Sequence, residues 1–143
     1  VLAIDAKVLV LDEPTLGLDI LTRRQFYTHL LEEFYTEEKC IIVTTHQIEE
    51  IEHILTDVAF IQNGNLVLAD SAEEIKERFK LLSVTPEKLS QAESFNPLYA
   101  NKMMGLTTML FDGVTREELE SLGNISSPSL ADIFVGVMAK EAC

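Results

Sequence analysis

The stretch KVLVLDEPT, residues 7–15, decides how this sequence folds. Its continuous apolar run predicts a strand that is buried on both faces, as the strands of parallel sheets are. The run ends in two adjacent carboxylates, Asp12 and Glu13, and a turn sequence follows them. Because open α/β sheets bind ligands beyond the carboxyl ends of their strands, the stretch predicts a candidate site as well as a strand.

A helix and a second strand follow this stretch. Asp19 can cap a helix whose apolar residues recur with helical spacing from Leu21 to Phe34. Residues 40–43 (CIIV) then predict a short buried strand. Parallel strands need a crossover connection of this kind, so we expect a βαβ unit.

The next part of the chain contains turn and capping signals. Asn63 and Gly64 separate two apolar runs and predict a two-residue hairpin turn. Residues 71–74 (SAEE) resemble a capping box that opens a helix.

The pattern of the sequence changes at about residue 81, where the apolar runs become shorter and turn sequences become frequent. A capping sequence begins at Thr115, and a final apolar helix is predicted over residues 130–138. We therefore expect two regions, residues 1–80 with an α/β parallel sheet and flanking helices, and residues 81–143 with a small α+β arrangement.

Composition excludes several classes of protein. The chain has 11 basic and 24 acidic residues, a net charge of -13, so nucleic acid is not expected as a partner. No apolar stretch approaches the roughly 18–20 residues that span a bilayer. Only Cys40 and Cys143 are present, which suggests no disulfide framework and favours a reducing, cytosolic compartment.

Asp12 and Glu13 have the chemistry that nucleotide hydrolysis needs. One hard-oxygen group must hold Mg²⁺, and a second must orient or deprotonate water. Successive residues near a strand end point in different directions, so the two carboxylates can divide these tasks. The alternative is that the pair merely ends a strand and begins a turn.

The longer string LVLDEPTLGLD, residues 9–19, resembles the ATP-binding cassette (ABC) family, in which it combines the Walker B strand, the adjacent catalytic glutamate and the D-loop. The resemblance implies a P-loop-NTPase-like fold with ATP and Mg²⁺ as cofactors. It assigns the metal to Asp12 and the activation of water to Glu13.

His46 ends the string CIIVTTH, at the place where the family has its switch histidine. The resemblance implies that His46 contacts the γ-phosphate and the attacking water, because imidazole can donate or accept a hydrogen bond near neutral pH. A purely structural histidine is the alternative. His29 and His53 lie on predicted helices without partners, and we assign them no role.

Gly17 and Asp19 match the D-loop, which in the family crosses between two nucleotide-binding domains. The resemblance places both among the cofactor-binding positions. Asp19 can also simply cap its helix, and the two roles can coexist. Leu16 departs from the small or polar residue often found in this turn.

Other family elements are absent from the sequence. There is no GxxxxGKS or GxxxxGKT string, no LSGGQ signature and no Q-loop. Residues 1–80 thus resemble the last part of a nucleotide-binding domain, and residues 128–134 (PSLADIF) resemble a C-terminal extension found in export systems. We expect a fragment that does not hydrolyse ATP by itself.

The resemblance implies the energy-coupling ATPase of an ABC transporter, an exporter, at the cytoplasmic face of the membrane. Its partners would be a membrane-spanning subunit and a second nucleotide-binding domain. Two alternatives stay open: a non-catalytic interaction or regulatory module, and a soluble ABC ATPase that does not take part in transport.

Overall fold

The structure is a computed structural model that describes residues 6–141. The chain divides into two compact units, Val1–His53 and Ile54–Cys143. The sequence predicts a boundary near residue 80, between a part that resembles a nucleotide-binding domain and an accessory part. That boundary stays a prediction. Within the described range, none of the helices is long and apolar enough to cross a bilayer.

The first unit is a βαβ arrangement followed by a short helix. Strand β1 (Val8–Asp12) leads through a turn into helix α1 (Ile20–Phe34), and strand β2 (Cys40–Thr44) precedes helix α2 (Ile48–Ile51). The two strands are parallel neighbours. The predicted crossover is confirmed.

The predicted burial of β1 on both faces is wrong for the described residues. Val8 and Val10 are 54% and 63% exposed, whereas Leu9 and Leu11 on the other face are half-buried. The physical reason is that a sheet face is buried by the elements packed against it, and within the described part of this unit nothing packs over the face that carries Val8 and Val10. Helix α1 contributes the buried side chains of Tyr27, Leu30 and Phe34, and Thr15 and Ile51 are buried as well.

The second unit begins with a hairpin of strands β3 (Asp57–Gln62) and β4 (Asn65–Ser71). Asn63 and Gly64 have φ angles of 50° and 78°. Positive φ at both central residues is what a type I′ turn requires, and its twist matches that of the strands it joins. The predicted hairpin is confirmed.

A four-stranded antiparallel sheet follows, with strand order β6-β7-β5-β8. Its strands and the helices around it are α3 (Ala72–Arg78), β5 (Phe79–Val84), a 3₁₀ turn (Pro86–Lys88), α4 (Leu89–Glu93), β6 (Tyr99–Met103), β7 (Leu106–Asp112), α5 (Arg116–Leu119), β8 (Asn124–Ser126) and α6 (Leu130–Glu141). The predicted α+β character of this part is confirmed, and so are the capped helices that begin after Ser71 and Thr115.

Both faces of this sheet carry buried apolar side chains. On one face, buried apolar side chains from β5, β7, α4, α5 and the segment after α5 form a single cluster: Leu82, Val84, Ala92, Met109, Phe111, Leu119 and Leu122. On the other face α6 packs closely, and a Cβ added at Gly136 would lie 2.4 Å from the side chain of Leu110. A glycine is needed here because the helix approaches the sheet so closely.

Candidate functional site

The carboxyl ends of β1 and β2 bring together three of the predicted site residues. Asp12 is the last residue of β1 and is paired in the sheet with Thr44, the last residue of β2. Glu13 and His46 follow these strand ends. Parallel pairing in this register therefore places the two carboxylates and the histidine at one edge of the first unit.

Asp12 is an exposed carboxylate held by its neighbour. Its Oδ1 accepts a hydrogen bond from the hydroxyl of Thr44. The bond orients the carboxylate across the strand end, and a carboxylate has lone pairs beyond those that one hydroxyl engages. Sequence reasoning did not identify Thr44, although a hydroxyl residue at a strand end beside an acidic one was a usable signal.

The side chain of Glu13 is directed at the end of β2. Its Oε1 accepts the backbone N–H of His46 at 2.9 Å, and its Oε2 accepts the hydroxyl of Thr45 at 3.2 Å. Hydrogen bonds to an ionised carboxylate are stronger than those between neutral groups. The carboxylate is therefore fixed by two donors from the segment that carries the histidine.

The backbone of Glu13 is in the left-handed region, with φ of 41°. A side-chain-bearing residue in this conformation costs on the order of 1–3 kcal/mol and persists where surrounding contacts determine it. Here the N–H donates to the carbonyl of Thr44 at 2.9 Å, and the carbonyl accepts from the N–H of Leu16 at 3.1 Å. Such strain concentrates at functional sites, and no local pattern in the sequence predicted it.

The imidazole of His46 is almost fully solvent-exposed. Its side chain is 94% exposed, and its Nε2 lies 3.6 Å from Oε1 of Glu13, whose side chain is 25% exposed. That distance exceeds a hydrogen bond, so the ring is near the carboxylate without being bound to it. An exposed ring of this kind is available to a ligand at the same edge.

Gly17 and Asp19 shape the turn between β1 and α1. Gly17 has φ of 83°, a conformation that favours glycine. Asp19 is the N-cap of α1, and its Oδ1 accepts the backbone N–H groups of Leu21 and Thr22, both at 3.0 Å. The predicted cap is confirmed, and the D-loop role of these residues stays a prediction.

The electrostatics of Asp19 agree with its capping role. The hydroxyl of Thr22 donates to its Oδ2 at 2.6 Å. This bond, followed by the backbone N–H of Thr22, lowers the pKa of Asp19 below its ordinary value. Asp19 is therefore a carboxylate over the whole neutral range, as an N-cap at the positive end of a helix favours.

Two α1 residues that sequence reasoning missed lie beneath the turn. Tyr27 is 3% exposed, and its hydroxyl lies 3.5 Å from that of Thr15, which is 1% exposed. Burial raises the pKa of Tyr27, so its hydroxyl stays protonated at neutral pH. Arg23 contacts both the turn and the segment after β2. Neither residue had a local signal, because their partners are remote in sequence.

The donor set at this edge suits a magnesium ion that brings most of its own ligands. Mg²⁺ usually keeps several waters and takes one or two carboxylates plus phosphate oxygens, rather than an all-protein cage. Among the described residues there is no group of three or more His, Cys, Asp or Glu side chains that could hold a metal. The exposed, hydroxyl-oriented carboxylate of Asp12 fits that partial role.

The chain is similar in sequence to several known proteins. No family model matches the chain. It is 34% identical over 96 residues to ATP-binding cassette sub-family A member 7 of Rattus norvegicus, covering 64% of this chain. It is 28% identical over 140 residues, 86% of this chain, to ABC transporter A family member 4 of Dictyostelium discoideum. A third relative is the lantibiotic transport ATP-binding protein SrtF of Streptococcus pyogenes, 34% identical over 76 residues and 51% of this chain.

This chain is similar in sequence to the ATP-binding proteins of ABC transporters. The predicted resemblance is thereby confirmed. The chain spans only 4%, 8% and 33% of the length of these three ABC relatives. A cobalt transport ATP-binding protein of known structure aligns with a TM-score of 0.43 at 18% identity, over 92% of this chain and 44% of that one.

Proposed function

We propose that this chain supplies the magnesium-binding and water-activating edge of an ATP-hydrolysing nucleotide-binding domain in an ABC transporter. The observation that carries the proposal is the joint placement of Asp12, Glu13 and His46 at two parallel strand ends, with Glu13 bonded to the backbone of His46 at 2.9 Å. The relationship to ABC ATP-binding proteins supports it.

In this proposal Asp12 holds the ion through an exposed carboxylate that the hydroxyl of Thr44 orients. Bound Mg²⁺ would neutralise charge on the terminal phosphates. Glu13 accepts a proton from, or orients, the attacking water, since a positioned carboxylate can act as a general base. Its two donors, Thr45 and the N–H of His46, keep it in place while it does so.

His46 is proposed to contact the γ-phosphate. Its ring is exposed and lies beside Glu13, so a phosphate bound at this edge can receive a hydrogen bond from the imidazole. Gly17 and Asp19 are proposed to form the D-loop contact with a second nucleotide-binding domain. The exposed leucine between Thr15 and Gly17, Leu16 at 73%, is part of the surface that such a contact would cover.

The wider assignments are also proposals. The nucleotide is ATP with Mg²⁺, the partners are a membrane-spanning subunit and a second nucleotide-binding domain, and the site of action is the cytoplasmic face of the membrane. Export is the proposed direction, on the resemblance of residues 128–134 to the extension of export systems. Residues 81–143 are proposed to be an accessory region.

The phosphate-binding loop and the signature motif must come from outside these 143 residues if the proposal is right. The test is to sequence the DNA upstream of Val1 and to compare phosphate release by the 143-residue chain with release by a polypeptide that includes the upstream segment. We expect a GxxxxGKS or GxxxxGKT string upstream, Mg²⁺-dependent hydrolysis by the longer polypeptide and none by the chain alone. An upstream region without these motifs, and no hydrolysis by either polypeptide, would favour a non-catalytic module.

A further inference from the structure

Arg23, in the first turns of α1, joins two segments that are far apart in sequence. Its Nε donates to the backbone carbonyl of Leu18 at 2.6 Å. Its Nη1 donates to Oε1 of Glu50 at 2.6 Å and also to Oε1 of Gln47. The planar guanidinium has five N–H donors in a fixed fork, so one side chain can hold three acceptors in a defined arrangement.

The environment of this bridge is restricted. The side chains of Arg23 and Glu50 are only 17% and 23% exposed. Within the described part of the chain, Oε2 of Glu50 is buried without a hydrogen-bond partner, so the carboxylate depends on Arg23 for its compensation. Removing one partner of a buried charge pair leaves the other uncompensated. The Arg23–Glu50 pair therefore tolerates less change in its geometry than a solvent-exposed ion pair does.

The same face of α1 also supports the turn at a second point. Tyr27 lies one helical turn after Arg23, and residues four apart share a face. Its hydroxyl is 3.5 Å from that of Thr15, and the carbonyl of Thr15 accepts the N–H of Leu18 at 3.1 Å. The turn that follows Glu13 thus rests on α1 at Thr15 and at Leu18.

The other end of the bridge lies directly after His46. Gln47 is the next residue, and its N–H donates to the hydroxyl of Thr45 at 3.0 Å. That hydroxyl in turn donates to Glu13 at 3.2 Å. A continuous set of bonds therefore runs from Arg23 through Gln47 and Thr45 to the carboxylate of Glu13.

We infer that Arg23 is a positioning residue that fixes the segment carrying His46 relative to the turn that follows Glu13. It touches neither carboxylate of the site, and it acts by holding the two backbone segments between which the bond from His46 to Glu13 forms. The effect of this positioning on ATP hydrolysis rests on the proposed function. The positioning itself can be measured on the chain without nucleotide.

The test is the amide exchange rate of His46, measured by NMR on the 143-residue chain without nucleotide. In Arg23→Gln we expect the His46 amide to exchange about tenfold faster or more, because its bond to Glu13 opens locally. Amides inside the β1–β2 ladder should keep their rates. Arg24→Gln is the matched control, since Arg24 is the exposed neighbour on the same helix, and it should change no rate.

An unchanged His46 rate in Arg23→Gln would overturn the inference. So would an equal acceleration of His46 and of the ladder amides, because that pattern would show general destabilisation. If Arg23→Gln does not fold, Arg23→Lys decides, since it keeps the charge but loses the fork. The lysine variant should show an intermediate acceleration confined to the site, and either a normal rate or a uniform change would again overturn the inference.

The proposed function is tested separately on the longer polypeptide. There, Arg23→Gln should lower kcat by a larger factor than it raises KM, because the bridge positions Glu13, which is proposed to activate water. If Arg23→Gln accelerates amide exchange at the site alone and no variant hydrolyses ATP, the positioning role is supported and the proposed function is wrong.

Discussion

The backbone N–H of His46 lies 2.9 Å from Oε1 of Glu13. The segment that follows β2 therefore holds the carboxylate that follows β1. The imidazole of His46 remains 94% exposed. One residue therefore has two separable parts, a main chain that orients Glu13 and a ring that is open to a ligand. Substitution of the ring should leave the orientation of Glu13 intact.

This separation leads to a first prediction, for His46→Ala. Because the bond to Glu13 uses the backbone N–H, the variant should keep the stability of the chain within about 0.5 kcal/mol, as expected for an exposed side chain. In the longer polypeptide it should nevertheless reduce ATP hydrolysis by about tenfold or more, since a donor to the phosphate is lost. Urea unfolding and phosphate release measure the two effects. Strong destabilisation with normal hydrolysis per folded molecule would contradict the separation.

A second prediction concerns the backbone of the turn. Gly17 has φ of 83°, and a Cβ added there meets no atom within 4 Å. The cost of Gly17→Ala should therefore come from conformation alone, about 1–2 kcal/mol in the free energy of unfolding. Urea unfolding followed by circular dichroism measures it. Gly17→Asn is the control and should cost less, because asparagine tolerates the left-handed region better. Equal losses for both variants would point to a cause other than the backbone angle.

A third prediction concerns pH and the cap of α1. The folded pKa of Asp19 is lowered, first by the hydroxyl of Thr22, from an ordinary value of 3.8. Its charge therefore contributes stability that is present above pH 3.8 and is lost as the pH falls through the lower, folded pKa. Asp19→Asn keeps a capping oxygen but cannot titrate. The stability advantage of the wild type over Asp19→Asn should shrink on acidification in this range, as urea midpoints at several pH values would measure. A constant difference across the titration would contradict this account of the cap.

A fourth prediction tests the packing of the second unit. A Cβ at Gly123 would lie 2.2 Å from the backbone oxygen of Ser83, and backbone cannot move as a side-chain tip can. Gly123→Ala should therefore destabilise by about 1–3 kcal/mol, as overpacking does. Ser121→Ala is an exposed control two residues away and should stay within about 0.5 kcal/mol in the same urea titration. A neutral Gly123→Ala would mean that β5 and the segment before β8 are further apart than described.

Local sequence signals predicted much of the fold. The cap at Asp19, the hairpin turn at Asn63 and Gly64, and the capped helix after Thr115 all depend on contacts within a few residues, and all are confirmed. The parallel pairing of β1 with β2 followed from two apolar runs separated by a helix.

What the sequence did not predict depends on remote contacts. The order β6-β7-β5-β8 places β5 between strands that follow it in the chain, and no local pattern encodes that order. The exposure of Val8 and Val10 depends on which elements pack against that face of β1. At the site, Asp12, Glu13 and His46 were predicted from motif and spacing. The bridge of Arg23 was not, because its acceptors include Glu50, well beyond the helix that carries the arginine.

The most direct test of the central claim, that Glu13 activates water at this edge, is a kinetic comparison of Glu13→Gln with Glu33→Gln in the polypeptide that includes the upstream segment. Glu33 is an exposed glutamate on α1 away from the strand ends. The account predicts that Glu13→Gln lowers kcat by about 100-fold or more, the scale of general base catalysis, with little change in KM. Glu33→Gln should match the wild type. Hydrolysis by Glu13→Gln at a rate close to that of Glu33→Gln would contradict the account.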